Sequence, residues 1–254
     1  MARRIIEGGF PTTLWARRPE ALAAYADTAA TVAASPRELG AAVDILGVCV
    51  IADADVDGVL RGPEGALADM TDRGIVLVHS TVHPDTCRRL QADFPRLRIL
   101  DAPVSGGVHK AAAGELLVMV GGDAGTFQAS RGVLETFANP LLHLGPLGSG
   151  QEAKLLNNAI FTAQLGLAAD TFALAAERGL DLAALTTVLT EGSGRSYAAQ
   201  IVAGAGHRAQ TLAPLAGSLL AKDVGILAQL VHDDQRPLIA TARTALALMR
   251  ETSA

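Results

Sequence analysis

Residues 145–158, Gly145-Pro146-Leu147-Gly148-Ser149-Gly150-Gln151-Glu152-Ala153-Lys154-Leu155-Leu156-Asn157-Asn158, separate two differently patterned parts of the chain. The glycines, proline and serine at the front of this stretch have the composition of a turn. From Gln151 to Glu177 there is no proline and a single glycine, Gly166. The turn therefore opens onto a long Ala/Leu-rich helix, apolar over much of its surface and expected to be buried. Upstream, short apolar runs alternate with helical stretches. Ile45 to Ile51 and Ile75-Val76-Leu77-Val78 are nearly continuous apolar runs, the pattern of strands covered on both faces. Thr12–Trp15, Thr31–Ala33, Ile99-Leu100 and Leu116–Val120 read as further strands. Helices are expected over Pro19–Tyr25, after the capping box Ser35-Pro36-Arg37-Glu38, and from Pro84 to about Asp93. This alternation predicts an α/β fold with a Rossmann-like, doubly wound parallel sheet. Downstream the pattern stays helical to about Arg250. Asp181 starts one helix, and breaks fall at Gly192-Ser193-Gly194, Pro214 and Pro237. The boundaries expected are an α/β domain over 1–148 and an all-helical domain over 149–254, beginning with the long connecting helix.

The chain has 254 residues, 50% hydrophobic and 19% charged, with a net charge of −5. That composition excludes disorder, and the mild acidity speaks against a nucleic-acid or anionic-membrane binder. No apolar run approaches the ~18 residues of a spanning helix, and the start does not read as a signal peptide. Cys49 and Cys87 make no disulfide framework. A soluble cytoplasmic protein is the expectation. The histidines show no metal-ligand spacing: His79 and His83 flank a Ser-Thr segment with Pro84 following, and His232-Asp233-Asp234 reads as a solvated loop.

A doubly wound nucleotide fold opens with a strand, a G-x-G-x-x-G turn and a helix that receives a pyrophosphate. Here Met1–Glu7 reads as a helix stopped by Gly8-Gly9, and no strand or glycine fingerprint precedes the Thr12 strand. Two expectations follow. Either the start lies at an internal methionine of a longer protein, or the chain is a truncation that lacks its phosphate cradle.

Three constellations carry chemistry. Asp101-Ala102-Pro103-Val104-Ser105-Gly106-Gly107 follows a strand end, where open α/β sheets bind ligands. The Ser105 hydroxyl, with backbone N–H groups laid open by Gly106 and Gly107, suits a small carboxylate; a plain glycine turn is the bland alternative. In Gly145-x-x-Gly148-x-Gly150-x-x-x-Lys154-x-x-x-Asn158, Lys154 and Asn158 share a helix face. A lysine near the positive end of a helix and among Leu155, Leu156 and Ile160 is placed where its charge is disfavoured, which fits acid/base work. A snorkelling surface lysine is the alternative for that residue alone. Arg17 and Arg18 close the Thr12–Trp15 strand, where an acid would select a free ribose 2′-hydroxyl and arginine accommodates a 2′-phosphate. They favour NADP over NAD, unless they are a solvated pair. Ser80-Thr81 follows the Ile75 strand and either contacts a nicotinamide ribose or amide or caps a helix. Lys222-Asp223 is by default a surface pair.

At these residues the chain resembles the β-hydroxyacid dehydrogenase family, which includes 3-hydroxyisobutyrate dehydrogenase and 2-hydroxy-3-oxopropionate reductase. The resemblance spans essentially the whole chain. Asp101–Gly107 is similar to the family's substrate-binding signature and Gly145–Asn158 to its catalytic one. Ala16-Arg17-Arg18-Pro19 is similar to an Asn-Arg-Thr-Pro stretch of NADP-preferring members, with Ala16 a departure. The resemblance makes Lys154 the catalytic residue and Ser105, Gly106, Gly107 and Asn158 substrate contacts. Arg17, Arg18, Thr81 and Lys222 become cofactor contacts. It implies an enzyme using NADP or NAD on a small β-hydroxyacid or its semialdehyde. Residues 1–148 would bind the dinucleotide, and 149–254 would form a substrate and oligomerisation domain of the 6-phosphogluconate dehydrogenase type. A homodimer or homotetramer through the helical domain is suggested by its strongly apolar helices and implied largely by the resemblance; the acidic composition argues for no nucleic-acid or membrane partner. The alternatives are a non-catalytic family remnant that binds or oligomerises, and an imine reductase of similar architecture.

Overall fold

A computed structural model describes residues 1–231 and 236–250; residues 232–235, with the His232-Asp233-Asp234 stretch read from sequence as a loop, lie outside the described residues, as do residues 251–254. The chain divides into two compact units, Met1–Lys154 and Leu155–Ala254.

The first unit begins with α1 (Ala2–Glu7), which Gly8 ends as its spacing suggested. A small separate parallel pair follows, β1 (Thr13–Leu14) with β2 (Thr31–Val32); Pro19–Tyr25 between them is a 3-10 helix rather than an α-helix. The main sheet is formed by β3 (Ile45–Val48), β4 (Ile75–Val78), β5 (Arg98–Asp101), β6 (Val104–Ser105), β7 (Leu116–Gly121) and β8 (Ala138–Gly145). The helices between them are α2 (Pro36–Ala41), α3 (Asp53–Leu60), α4 (Pro84–Asp93), α5 (Gly107–Ala113) and α6 (Ala124–Leu134). Ser35 caps α2 by accepting from the Glu38 N–H at 3.1 Å, while the Glu38 carboxylate reaches back to the Ala34 N–H at 2.9 Å.

The strand order is β3-β4-β5-β7-β6, with β8 on β7. β3, β4 and β5 are parallel, as the apolar runs predicted. The sheet as a whole is mixed, however, because β7 runs antiparallel to both β5 and β6. After β5 the chain spends its connection on the short β6 and α5 and returns beside β6, so no long crossover restores the parallel direction. β8, which pairs with β7 only, escaped the sequence reading. Its Asn139-Pro140 pair and largely exposed side chains hide the strand pattern, and an edge position tolerates the proline.

All four residues of β4 are buried. Val76 and Val78 face a cluster with Leu46, Val56, Leu60 and Leu90, while Ile75 and Leu77 face Leu100, Val118, Leu134 and Phe137. The carboxyl ends of β3, β4 and β5 are thereby held in register, and the loops that leave them carry the candidate site.

α7 (Ser149–Glu177) gives its first residues to the first unit and the rest to the second. The second unit adds α8 (Leu182–Glu191), α9 (Tyr197–Gly204), α10 (Ser218–Val231) and α11 (Pro237–Arg250). Asp181 caps α8, the Gly192–Gly194 break separates α8 from α9, and Pro237 opens α11. Pro214 does not break the helix as expected: it sits near the start of a π-helical turn, Ala213–Gly217, that runs directly into α10, where a proline's missing N–H costs least. Leu155, Leu165, Phe172, Val202, Val224 and Leu246 form the core. Gly166 lets α7 approach α11 closely, since a Cβ there would overlap Ala245. By length and composition α7 could cross a membrane, but 44% of its most apolar window is buried inside the fold.

Candidate active site

The candidate substrate segment and the candidate catalytic helix are joined by one buried carboxylate. Asp101 ends β5 and is 0% exposed. Its Oδ1 accepts the Gly148 N–H at 2.6 Å and its Oδ2 accepts the Gln151 N–H at 2.7 Å. These are among the N–H groups that the first turn of α7 leaves without a helical acceptor, and a negative charge there suits the helix dipole. Burial pushes the Asp101 carboxyl above the ordinary range, and its backbone N–H partners pull it back. Glycine is required around it. A Cβ on Gly121 would lie 2.5 Å from Asp101 Oδ1, and one on Gly150 would run into the Met119 carbonyl oxygen. In the sequence Asp101 stands out only as an acid closing an apolar strand, which by itself assigns it no task.

The next buried polar residue, Gln151, was also missed. It is 0% exposed. Its Oε1 accepts the Val82 N–H at 3.1 Å and its Nε2 donates to the Ser80 carbonyl at 2.8 Å. The two bonds bracket Thr81. The Ser80 hydroxyl accepts the Val50 N–H at 2.7 Å, which ties the same loop to the end of β3. Capping of α4 falls instead to His83, whose Nδ1 accepts the Asp85 N–H at 3.2 Å. Lys154 follows Gln151 by about one helical turn and is buried, at 8% exposure. Its neighbours Leu156 and Ile160, read from sequence as part of its apolar surroundings, are exposed.

Ser105 closes β6 and is half-buried; Gly106 is half-buried and Gly107, which opens α5, is exposed. Gly106 has φ +134° and Gly107 φ +71°, backbone conformations that L side chains rarely adopt. The chain therefore uses these two glycines for their conformation.

His79 sits behind this segment. It is almost fully buried, its Nδ1 lies 2.8 Å from the Ala102 carbonyl, and its ring meets Phe137 edge-on. Burial pushes its pKa down, so the ring is neutral and its Nδ1–H donates to Ala102. The Nδ1 atoms of His79 and His83 both face backbone groups. Among the described residues no group of three or more His, Cys, Asp or Glu could hold a metal ion.

At the end of β1, Arg17 and Arg18 are exposed, and Arg17 pairs with Asp55 at 2.7 Å. In the second unit, Asn158 Nδ2 donates to Asp223 Oδ2 at 2.6 Å, and Asn158 Oδ1 accepts from Asn157 Nδ2 at 3.1 Å. Lys222 Nζ lies 2.8 Å from Asp223 Oδ1, a contact of charge without hydrogen-bond alignment. Asp223 is 3% exposed, which overturns the reading of Lys222-Asp223 as a surface pair. Successive residues on a helix point about 100° apart, so Asp223 turns inward with Val224 and Leu227 while Lys222 stays half-buried.

Comparison with known proteins now settles the family. Residues 1–145 match the family described as the NAD binding domain of 6-phosphogluconate dehydrogenase. Residues 148–254 match the family described as the NAD-binding domain of NADP-dependent 3-hydroxyisobutyrate dehydrogenase. The chain belongs to the β-hydroxyacid dehydrogenase family. Among its relatives, L-threonate dehydrogenase of Cupriavidus necator is 33% identical over 200 residues, 78% of this chain and 67% of that protein. A 3-hydroxyisobutyrate dehydrogenase of Pseudomonas aeruginosa is 32% identical over the same shares of the two chains. The crystal structure of 3-hydroxyisobutyrate dehydrogenase from Salmonella typhimurium superposes with a TM-score of 0.83 at 29% identity, covering 97% of this chain and 88% of that one. An imine reductase from a Pseudomonas species, at 17% identity and a TM-score of 0.64, shares the fold alone.

The residues present fit two ends of a dinucleotide. The exposed guanidinium groups of Arg17 and Arg18 at a strand end suit an adenosine ribose or its phosphate. The Thr81 loop, pinned by Gln151 and Ser80, suits the nicotinamide end.

Proposed function

We propose that this chain is an NAD(P)-dependent dehydrogenase or reductase of small β-hydroxyacids, with NADP preferred. When bound, the nicotinamide supplies or accepts the hydride. Ser105 and the backbone N–H groups at Gly106 and Gly107 hold the substrate carboxylate. Lys154 Nζ takes the hydroxyl proton during oxidation and returns it to the carbonyl oxygen during reduction. Asn158 holds the substrate or the lysine, in an orientation fixed by Asp223. Arg17, Arg18, Thr81 and Lys222 bind the cofactor. Residues 1–148 serve the dinucleotide, and 149–254 serve substrate binding and oligomerisation. The observation that carries the reading is the Asp101 carboxylate, which ties the Ser105 segment to the first turn of the helix bearing Lys154.

A homodimer or homotetramer is part of the proposal, supported by Leu156, Ile160, Leu167 and Leu174, exposed along α7. So is a soluble, cytoplasmic enzyme in which α7 is a core helix. The test is turnover of a hydroxyacid panel, starting with L-threonate and 3-hydroxyisobutyrate, with NADP+ and NAD+. Lys154→Ala should keep the fold and lower kcat by roughly 100-fold or more. Near-normal turnover of that variant rejects the role, and a wild-type chain that binds neither NADPH nor NADH favours the non-catalytic alternative.

A further inference from the structure

Gln151 makes side-chain bonds that resemble a short strand pairing. Its amide accepts from one peptide and donates to another, and the two peptides flank Thr81. A buried amide so used has its main hydrogen-bonding directions satisfied, and its loss leaves a buried N–H and a buried carbonyl without partners. The same residue's own N–H is held by Asp101. Gln151 is thus fixed at its backbone to β5 and at its side chain to the loop after β4. Lys154 lies on the same helix about one turn further on, so whatever fixes Gln151 also fixes the rotation and axial position of Lys154.

We propose that Gln151 is a positioning residue that holds the nicotinamide-side loop around Thr81 and the acid/base Lys154 in one register. This deepens the function proposed above and rests on it. The physical logic is orientation: reacting groups misplaced by about 1 Å lose roughly 100-fold in rate. A flexible side chain at position 151 would leave Lys154 on its helix and Thr81 in its loop, but would uncouple the two. The substrate carboxylate contacts at Ser105–Gly107 would stay as they are.

The test compares wild type with Gln151→Met, which keeps the length and removes both hydrogen bonds. Gln151→Glu, which keeps the acceptor for Val82 and loses the donor to Ser80, is the second variant should the first not fold. Calorimetric titrations use NADPH and 2′,5′-ADP, the latter probing the adenosine end alone. The expected result is an unchanged binding stoichiometry and an unchanged Kd for 2′,5′-ADP. The Kd for NADPH should rise by roughly 10-fold, equivalent to about one lost hydrogen bond. With the best hydroxyacid of the panel, kcat should fall by roughly 100-fold while the hydroxyacid KM stays constant. Gln151→Glu should show the same pattern with smaller changes. A merely structural role would lower the stoichiometry and leave Kd and kcat of the remaining folded protein unchanged; that result, or wild-type NADPH affinity and kcat in the variant, overturns the proposal. Wild-type protein that binds neither NADPH nor 2′,5′-ADP sinks the functional reading and this inference with it, an outcome distinct from a silent Gln151 variant of an active enzyme.

Discussion

Replacing Asp101 by asparagine tests the joint between the two motifs. The wild-type carboxylate takes two backbone N–H bonds, at 2.6 and 2.7 Å, with no solvent exposure. Asparagine retains one acceptor oxygen and turns its NH2 toward the other N–H. One charge-assisted bond, worth about 1.5–3 kcal/mol, is lost, and a buried N–H is left without an acceptor at about 1–3 kcal/mol. Against this, a neutral side chain escapes the burial penalty that pushes the Asp101 carboxyl up. The net expectation is a loss of about 2 kcal/mol, within the usual range for removing a helix N-cap. For a chain of this size that lowers Tm by about 4–8 °C. The assay is thermal unfolding followed by circular dichroism and calorimetry at neutral pH, with Asp101→Ala as a more severe companion that removes both acceptors. An Asp101→Asn protein that melts with wild type, or above it, would refute the reasoning. It would mean that burying the charge costs as much as its bonds return.

Other substitutions probe the two units separately. Burial holds the His79 pKa below its unfolded value, so the unfolded chain binds the extra proton. The stability this histidine contributes is complete above the unfolded value of about 6.5 and is lost as pH falls below it, by up to about 1.4 kcal/mol per pH unit. Urea titrations across that range should show the slope, and His79→Gln should flatten it; parallel curves for the two proteins would be the contrary result. Gly166→Ala gains about 1 kcal/mol of helix propensity, but its methyl would overlap Ala245. Overpacking of about 1–3 kcal/mol should win, so calorimetry should show a lower melting temperature rather than a higher one.

The α/β class and the start of the helical part were legible because they are written in local periodicity. β4 is an unbroken apolar run because both its faces are covered, and α7 is long because nothing between Gln151 and Glu177 stops it. The direction of β7 was not legible, since strand polarity depends on how the chain returns through β6 and α5. β8 was hidden by its proline and its exposed side chains. In the candidate site, the residues with recognisable chemistry, Lys154, Asn158, Ser105 and the arginines, were readable by type and spacing. Asp101 and Gln151 were not, because a carboxylate or an amide acquires a task only from the atoms around it.

Composition and periodicity alone determined that this is an α/β chain followed by helices, and the glycine-lysine-asparagine spacing marked a candidate site. The tertiary structure decided which polar side chains are buried and what they hold: Asp101 across to the start of α7, Gln151 on either side of Thr81, and Asp223 on Asn158. The physical reason is that apolar pattern is a property of neighbours along the chain, whereas hydrogen bonds such as these join residues some 50–70 positions apart and exist only once the backbone has brought them together.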